Sequence, residues 1–466
     1  MTSPPPAAGA LPAPVDLSDL LEPFASRGVD LGLDRLRGAL AEGGHPERRF
    51  AAVQVAGTNG KGSITTFLEA ILTAAGLRCG AYRSPHLVSW CERISLAGDW
   101  IDPATLRQDL QRWRSIGERH RLTPFELLTA ASFDRFAAAN LDITVLEVGL
   151  GGRLDATTAH PHRPVLGFGA IGLDHREHLG PDLAAIAAEK AGALAAGMVA
   201  VSAAQPPEVA AVLEAAARRV GADLRWVEPL ADPQAGGPVL GLAGAFQRAN
   251  AAVAVGMARA LAERAWPRPD RSLDAAAIRA GLAAARWPGR LEPRHYRGQP
   301  LLLDGAHNPP AAAVLRRELH ALAPGPRRWL LGIQRHKEGA VILEQLLAPG
   351  DRALVVPIAG HRCWSCDELA LAQPALAPQL EAVADVPTGL DRLMEQPTGI
   401  GEAGNAAPAC PVVAGSLYLL GLVIPWLDRL PEPGGDDAAV GRRQVEGDPD
   451  AATPWLLNSA PPSATP

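Results

Sequence analysis

The stretch VQVAGTNGKGSITTFLEAIL, Val53–Leu72, decides the fold. It opens on alternating and contiguous apolar residues, as a buried strand does. It breaks at Gly57, Gly60 and Gly62, then resumes with Ile64, Phe67, Leu68, Ile71, Leu72 and Ala75 at helical spacing, and Gly76 stands where a helix would stop. The spacing predicts strand, glycine loop, helix. Such a loop turns backbone N–H groups and a helix N-terminus toward an anion. Lys61 adds a point charge, and Ser63 or Thr65 can bond a phosphate oxygen or a metal-bound water. The common phosphate loop has four residues between its first two glycines and Ser or Thr directly after Lys. Here two residues separate Gly57 from Gly60, and Gly62 intervenes before Ser63. The plain alternative is a turn carrying a surface lysine.

Outward from this loop, strand-like runs alternate with helical patterns: FAAVQVAG, ITVLEVG, VLGFGAIG and MVAVS, then, past the Pro-, Gly- and Arg-rich stretch 285–300, PLLLD, WLLGI, ALVVPI and PVVAGSLYLL. Alternation of this kind predicts an α/β fold with mostly parallel sheets. The expected organisation is a domain of P-loop type, carrying the glycine loop, over 15–288 and a smaller, Rossmann-like α/β domain over 297–430. The Pro-, Ala-, Gly- and acid-rich ends, 1–14 and 431–466, read as disordered tails. At 466 residues two or three domains are the prior.

Composition is ordinary for a globular protein, 47% hydrophobic and 20% charged, and a net charge of -6 gives no support for nucleic acid or an anionic membrane as partner. No secretory signal or bilayer-length apolar run is visible, and five cysteines do not make a disulfide scaffold. The expected location is the cytoplasm.

Further motifs follow the loop. In LEVGLGGRLDAT, Glu147 interrupts a strand near its carboxyl end, where ligands of open α/β sheets sit, and a carboxylate there suits Mg²⁺. Alternatively it faces solvent. Asp174 and His175 follow the next strand. Pro181 is expected to open a helix whose apolar face holds Leu183, Ile186, Ala187, Lys190 and Leu194. A desolvated Lys190 has a lowered pKa and can react, for example with CO₂; taken alone, a lysine with its head in water reads better. Arg290 in the linker and Asp304 at a strand end, followed by His307 and Asn308, can reach a cleft between domains. Cys363 and Cys366 form a lone C-x-x-C, best read as two loop cysteines.

In their order, VAGTNGKGS, RSPHL, CERI, FELLT, EVGLGGRLDAT, DH, EKAGAL, FQRAN, PGRLE, LDGAHNP and GSLYLLG resemble the folylpolyglutamate synthase/dihydrofolate synthase family of the Mur ligase superfamily, over about Leu31 to Leu430. The resemblance implies an ATP-dependent amide ligase that joins L-glutamate to 7,8-dihydropteroate and to folates through an acyl phosphate. It implies that Asn59, Gly60, Lys61, Gly62 and Ser63 hold ATP phosphates, with Asn250, Arg290 and Asp304 also on ATP and His307 lining the cleft. Ser84 and Glu147 would bind one Mg²⁺ and His175 a second, beside a carbamylated Lys190; K⁺ is a further ion. Lys61, His175, Lys190 and His307 are the expected catalytic residues. Thr123, Pro124, Phe125 and Glu126, with Leu154, Asp155 and Ala156, would line the pteroate or folate pocket, and VDLGLDRL resembles a segment that touches dihydropteroate. The family's usual state is a monomer.

The chain departs from the family at Thr158 (usually Asn), at Phe246 (usually His) and at His336-Lys337-Glu338 (usually acidic–Lys–acidic). Other readings are a folylpolyglutamate synthase alone, a cell-wall Mur ligase, a non-catalytic folate- or nucleotide-binding relative, and a P-loop phosphotransferase. The Mur ligase would need a larger domain ahead of the loop. The binding relative predicts loss of Lys61, Glu147, His175 or Lys190, all of which are present.

Overall fold

The structure is a computed structural model that describes residues 11–25, 28–395 and 410–429. The chain forms two α/β units. The first sheet holds β1 (Ala52–Ala56), β2 (Cys79–Tyr82), β3 (Ile94–Leu96), β4 (Asp99–Trp100), β5 (Ile143–Glu147), β6 (Val165–Phe168), β7 (Val199–Ala203) and β8 (Asp223–Val227). Their order is β4-β3-β2-β5-β1-β6-β7-β8, with β3 alone reversed and so antiparallel to both β2 and β4. Every residue of β1 is buried, since strands lie on either side and helices cover both faces. The helix Lys61–Ala74 crosses back over the sheet and buries Ile64, Phe67, Leu68, Ile71 and Leu72, the apolar stripe expected of it.

A second sheet holds β9 (Glu292–Tyr296), β10 (Gln299–Leu303), β11 (Arg328–Leu331), β12 (Arg352–Val355), β13 (Leu380–Ala382) and β14 (Val412–Ala414), in the order β13-β12-β11-β14-β10-β9 with β9 antiparallel. Strand β9 therefore starts this sheet ahead of the expected boundary at 297. The run PVVAGSLYLL divides at Gly415: β14 ends, and the helix Leu417–Asp428 begins. The expected helix after Pro181 starts at Leu183, because Asp182 accepts from Ala185 N and caps it. Short β2, β3, β4 and β13 carry no periodic signal long enough to read, and β8 and β9 are polar and partly exposed rather than apolar runs.

Of the stretch 1–14 expected to be disordered, residues 1–10 lie outside the described residues, but Leu11 packs on the core of the second unit. The tail 431–466 also lies outside them. No helix among the described residues is long and apolar enough to cross a membrane.

Candidate active site

Strand β1 sits between β5 and β6, and chain connections leave its carboxyl end in both directions, so a crevice opens over the glycine loop. The loop needs its glycines. Gly57 and Gly60 have φ of 143° and 82°, in the region that favours glycine. A Cβ on Gly60 would also run into the Asn250 side chain, and one on Gly62 would come within 2.9 Å of Trp287 Nε1. Gly60 caps the following helix with no side-chain bond, so the first N–H groups of that helix keep no intrahelical partner. Lys61 folds back, its Nζ donating to Thr58 O at 3.0 Å and Gly57 O at 3.2 Å. Asn59 is placed differently from the rest of the expected cradle. Its N–H donates to Ala170 O, and its side chain exchanges hydrogen bonds of 3.2 and 3.0 Å with Asn308 of the second unit.

Two neighbouring strands bring Ser84 and Glu147 together. Ser84 follows β2, and Glu147 ends β5, paired to it. Glu147 does not face solvent: it is 3% exposed, and its Oε2 is buried without a hydrogen-bond partner. Burial pushes its carboxyl up to about 7, against the pull of Lys61, Arg83 and Arg290. Lys190 is likewise buried, at 4% exposure, so the reading with its head in water fails. Its Nζ donates to Gly57 O at 2.9 Å, the carbonyl that Lys61 also reaches. Burial and then the Lys61 charge bring its pKa down to about 7. His175, in a left-handed conformation with φ 50°, stands 3.8 Å from Asp174 Oδ2, and burial lowers its pKa to about 4.

These groups fit a hard cation. A buried carboxylate oxygen without a donor, beside a serine, is the kind of site Mg²⁺ occupies. Among the described residues no three His, Cys, Asp or Glu side chains gather into a metal-binding group, so a full ligand set here draws on Ser84 and on ligand or solvent oxygens.

The second unit closes over the loop. Asp304, at the end of β10, accepts from Leu291 N and Ala306 N, each at 2.9 Å, and so pins the linker to the GAHNP loop. Arg290 is half-buried beside it; desolvation lowers its pKa and the Asp304 charge opposes this. Asn250 faces Gly60, with its Nδ2 on Gln247 Oε1 at 2.9 Å. His307 Nδ1 lies 2.7 Å from Gly305 O.

Asp174, which the sequence places after a strand without assigning it a role, is the centre of the contact between the two units. Lys337 Nζ donates to its Oδ1 at 2.6 Å, Asn308 Nδ2 to its Oδ2 at 2.9 Å, and His307 Nε2 stands 3.9 Å away. These contacts hold its carboxyl far below the usual range despite burial, with Lys337 the largest opposing influence. Asp174, Asn308 and Lys337 all lie in motifs noted in the sequence, but nothing local says that they meet.

Beside this clasp lies a cavity of about 440 Å³, lined by all seven residues expected along the folate pocket, and by Leu31 and Gly32 of VDLGLDRL. Two of the seven carry carboxylates that build the wall. Glu126 forms a reciprocal cap with Thr123 and an ion pair with Arg35 at 3.3 Å. Asp155 accepts from the N–H groups of Gly149, Leu150 and Thr157. Phe125 and Leu154 give apolar surface. The departures are accommodated locally: Thr158 receives Gln54 Nε2 at 2.9 Å, and Glu338 lies 3.5 Å from Arg176. Cys363 and Cys366 are free thiols, as are the other three cysteines.

Comparison with known proteins places this arrangement. Residues 290–426 match the family profile "Dihydrofolate synthetase, C-terminal domain". The dihydrofolate synthase/folylpolyglutamate synthase of Mycobacterium tuberculosis is 32% identical over 484 residues, covering 91% of this chain and 97% of that one. The E. coli FolC structure in complex with DHPP and ADP superposes with a TM-score of 0.76 at 29% identity, covering 90% of this chain and 99% of that one. A bifunctional folylpolyglutamate synthase/dihydrofolate synthase with Mn, AMPPNP and L-glutamate bound gives 0.72 at 30% identity, over 86% and 95%. The chain belongs to the dihydrofolate synthase/folylpolyglutamate synthase family of Mur-type ligases.

Proposed function

We infer that this protein is an ATP-dependent ligase that adds L-glutamate to 7,8-dihydropteroate and to folates. One observation carries the reading: Asn59 ties the phosphate loop to Asn308, Asn308 and Lys337 clasp Asp174, and Lys337 and His307 of that clasp line the 440 Å³ cavity together with Ser84. The reaction transfers the γ-phosphoryl group of ATP to the substrate carboxylate, and the amine of glutamate then displaces phosphate. Such a transfer between anions needs positioning and charge neutralisation. The helix N-terminus after Gly60 and Lys61 serve the phosphates, and Gly62 and Ser63 lie in the same turn. Asn250, Arg290 and Asp304 border the nucleotide side of the cleft. Asn59 acts here through Asn308, tying the loop to the second unit.

Ser84 and Glu147 are the residues that would hold Mg²⁺, and His175 with Lys190 a second ion. When bound, the metal shields the approaching phosphate charges. Lys190 supports this reading through its chemistry: with a pKa near 7 a large share of its amine is neutral at physiological pH and able to add CO₂, giving an anionic carbamate. The clasp of His307, Asn308 and Lys337 on Asp174 excludes water from an acyl phosphate. One chain supplies both walls of the cleft, which supports a functional monomer.

The test is product mass. Purified protein is incubated with ATP, Mg²⁺, K⁺ and glutamate, with dihydropteroate in one tube and tetrahydrofolate in another. We expect one added glutamate in the first and extension in the second, with ADP and phosphate released. Extension only in the second would leave a folylpolyglutamate synthase alone. No added mass in either would overturn the ligase reading.

A further inference from the structure

We propose that Arg93 is the anchor for the carboxylate end of the pterin substrate, an inference that rests on the ligase reading of the cavity. Arg93 ends the short helical turn Trp90–Arg93 and lines the 440 Å³ cavity with Ser84, Phe125 and Leu154. Two lysine or arginine side chains line that cavity, Arg93 and Lys337. Lys337 is already paired with Asp174. No carboxylate among the described residues lies within ion-pair distance of Arg93. The adjacent Glu92 is spent: its oxygens accept from the N–H groups of Leu87, Val88 and Ser89 at 2.9, 2.6 and 2.5 Å.

The guanidinium is nonetheless held in place. Its Nε donates to His86 Nδ1 at 2.9 Å, and its Cζ stands 4.6 Å from the centre of the Trp90 ring. Stacking on an aromatic face fixes the plane of the group. The Tyr82 hydroxyl hydrogen-bonds both the Arg93 side chain and Thr129 Oγ1, the latter at 3.1 Å, and burial raises its pKa, so it brings no charge. A half-buried, oriented cation with no counter-ion, on the wall of a cavity with apolar flanks, matches a flat aromatic ligand ending in a carboxylate. Dihydropteroate offers one carboxylate, the reacting one. A folate offers two, on its terminal glutamate.

The experiment is a binding cycle by calorimetry. Dihydropteroate, tetrahydrofolate and their carboxamide counterparts are titrated into the wild type, R93Q and R93K. R93Q should weaken binding of the acids by about 10- to 100-fold, in line with loss of a charge-assisted hydrogen bond. It should leave the carboxamides nearly unchanged, and R93K should fall between. Weakening with both acids assigns the reacting carboxylate; weakening with tetrahydrofolate alone assigns the second glutamyl carboxylate. Equal weakening of acids and carboxamides, or none, would overturn the anchor. R93K keeps the test open if R93Q melts early. A wild type that prefers the acids through Arg93 but transfers no glutamate would sink the ligase reading alone. Full turnover with an indifferent R93Q would sink the anchor alone.

Discussion

Two strand–loop–helix corners face each other across the cleft, and they are built in opposite ways. In the first, β1 runs into Gly57–Gly60 and the helix Lys61–Ala74 starts with no side chain capping it. In the second, β10 runs into Asp304–Asn308 and the helix Pro309–Leu322 starts with Asn308 accepting from Ala311 N at 3.0 Å and two prolines, Pro309 and Pro310, in its first turn. A helix whose first N–H groups are met by its own cap has little left for an anion. The uncapped corner is the one that can take phosphate. The capped corner offers side chains instead: Asn308 to Asp174 and Asn59, and His307 to the cavity. The same local topology therefore yields a ligand site on one side and a clasp on the other.

The comparison breaks most sharply at Lys61. Lys61→Ala should lower kcat at least about 1,000-fold with an unchanged melting temperature, because the phosphate charge loses its nearest mobile partner. ADP release and a thermal melt read this, and normal turnover would remove the first corner from the chemistry. Next is Lys190→Ala, expected to cost roughly 100-fold, on the scale of a lost charge-stabilising group. Short carboxylic acids should restore part of the rate if a carbamate is what is missing, whereas an unimpaired variant would mean that Lys190 only fills space.

Glu147 sharpens the contrast through stability. Its folded pKa of about 7 lies above the ordinary glutamate value of 4.5, so the folded apoprotein binds the proton more tightly than the unfolded chain. Stability should then fall as pH rises from about 4.5 to about 7 and level off above, by roughly 3 kcal/mol. Glu147→Gln should flatten that slope in melts of the metal-free protein. An unchanged slope would mean that the carboxyl is not the group that titrates. The smallest effect belongs to the capped corner. Asn308→Ser keeps a capping oxygen but cannot span to Asp174, and Asn308→Ala loses both. The alanine variant should be less stable than the serine variant by about 1 kcal/mol. Both should raise the KM for glutamate alike, since both release the clasp. Equal stability of the pair would show that the cap contributes nothing.

Much of the first corner was legible in the sequence, since a glycine loop between an apolar run and a helical stripe spans few residues and each signal is local. The site residues Ser84, Glu147, His175 and Lys190 were nameable through the resemblance, but the burial of Glu147 and Lys190 was not. Lys190 read alone favoured a surface lysine, because helical spacing shows which face is apolar and not what packs on it. Asp174 and Lys337 went unassigned because they approach across the cleft, far apart in the chain. Arg93 lay inside the quoted CERI, but only its surroundings show that its neighbour Glu92 is occupied by backbone.

By itself the sequence determined the α/β class, the phosphate loop and the family, because these depend on periodicity, glycine placement and the order of motifs along the chain. Tertiary structure alone decided which side chains are desolvated, which charges are paired and which are left without a partner. Those properties depend on distances between residues remote in sequence, and they set the pKa of Glu147 and Lys190 and the free charge of Arg93.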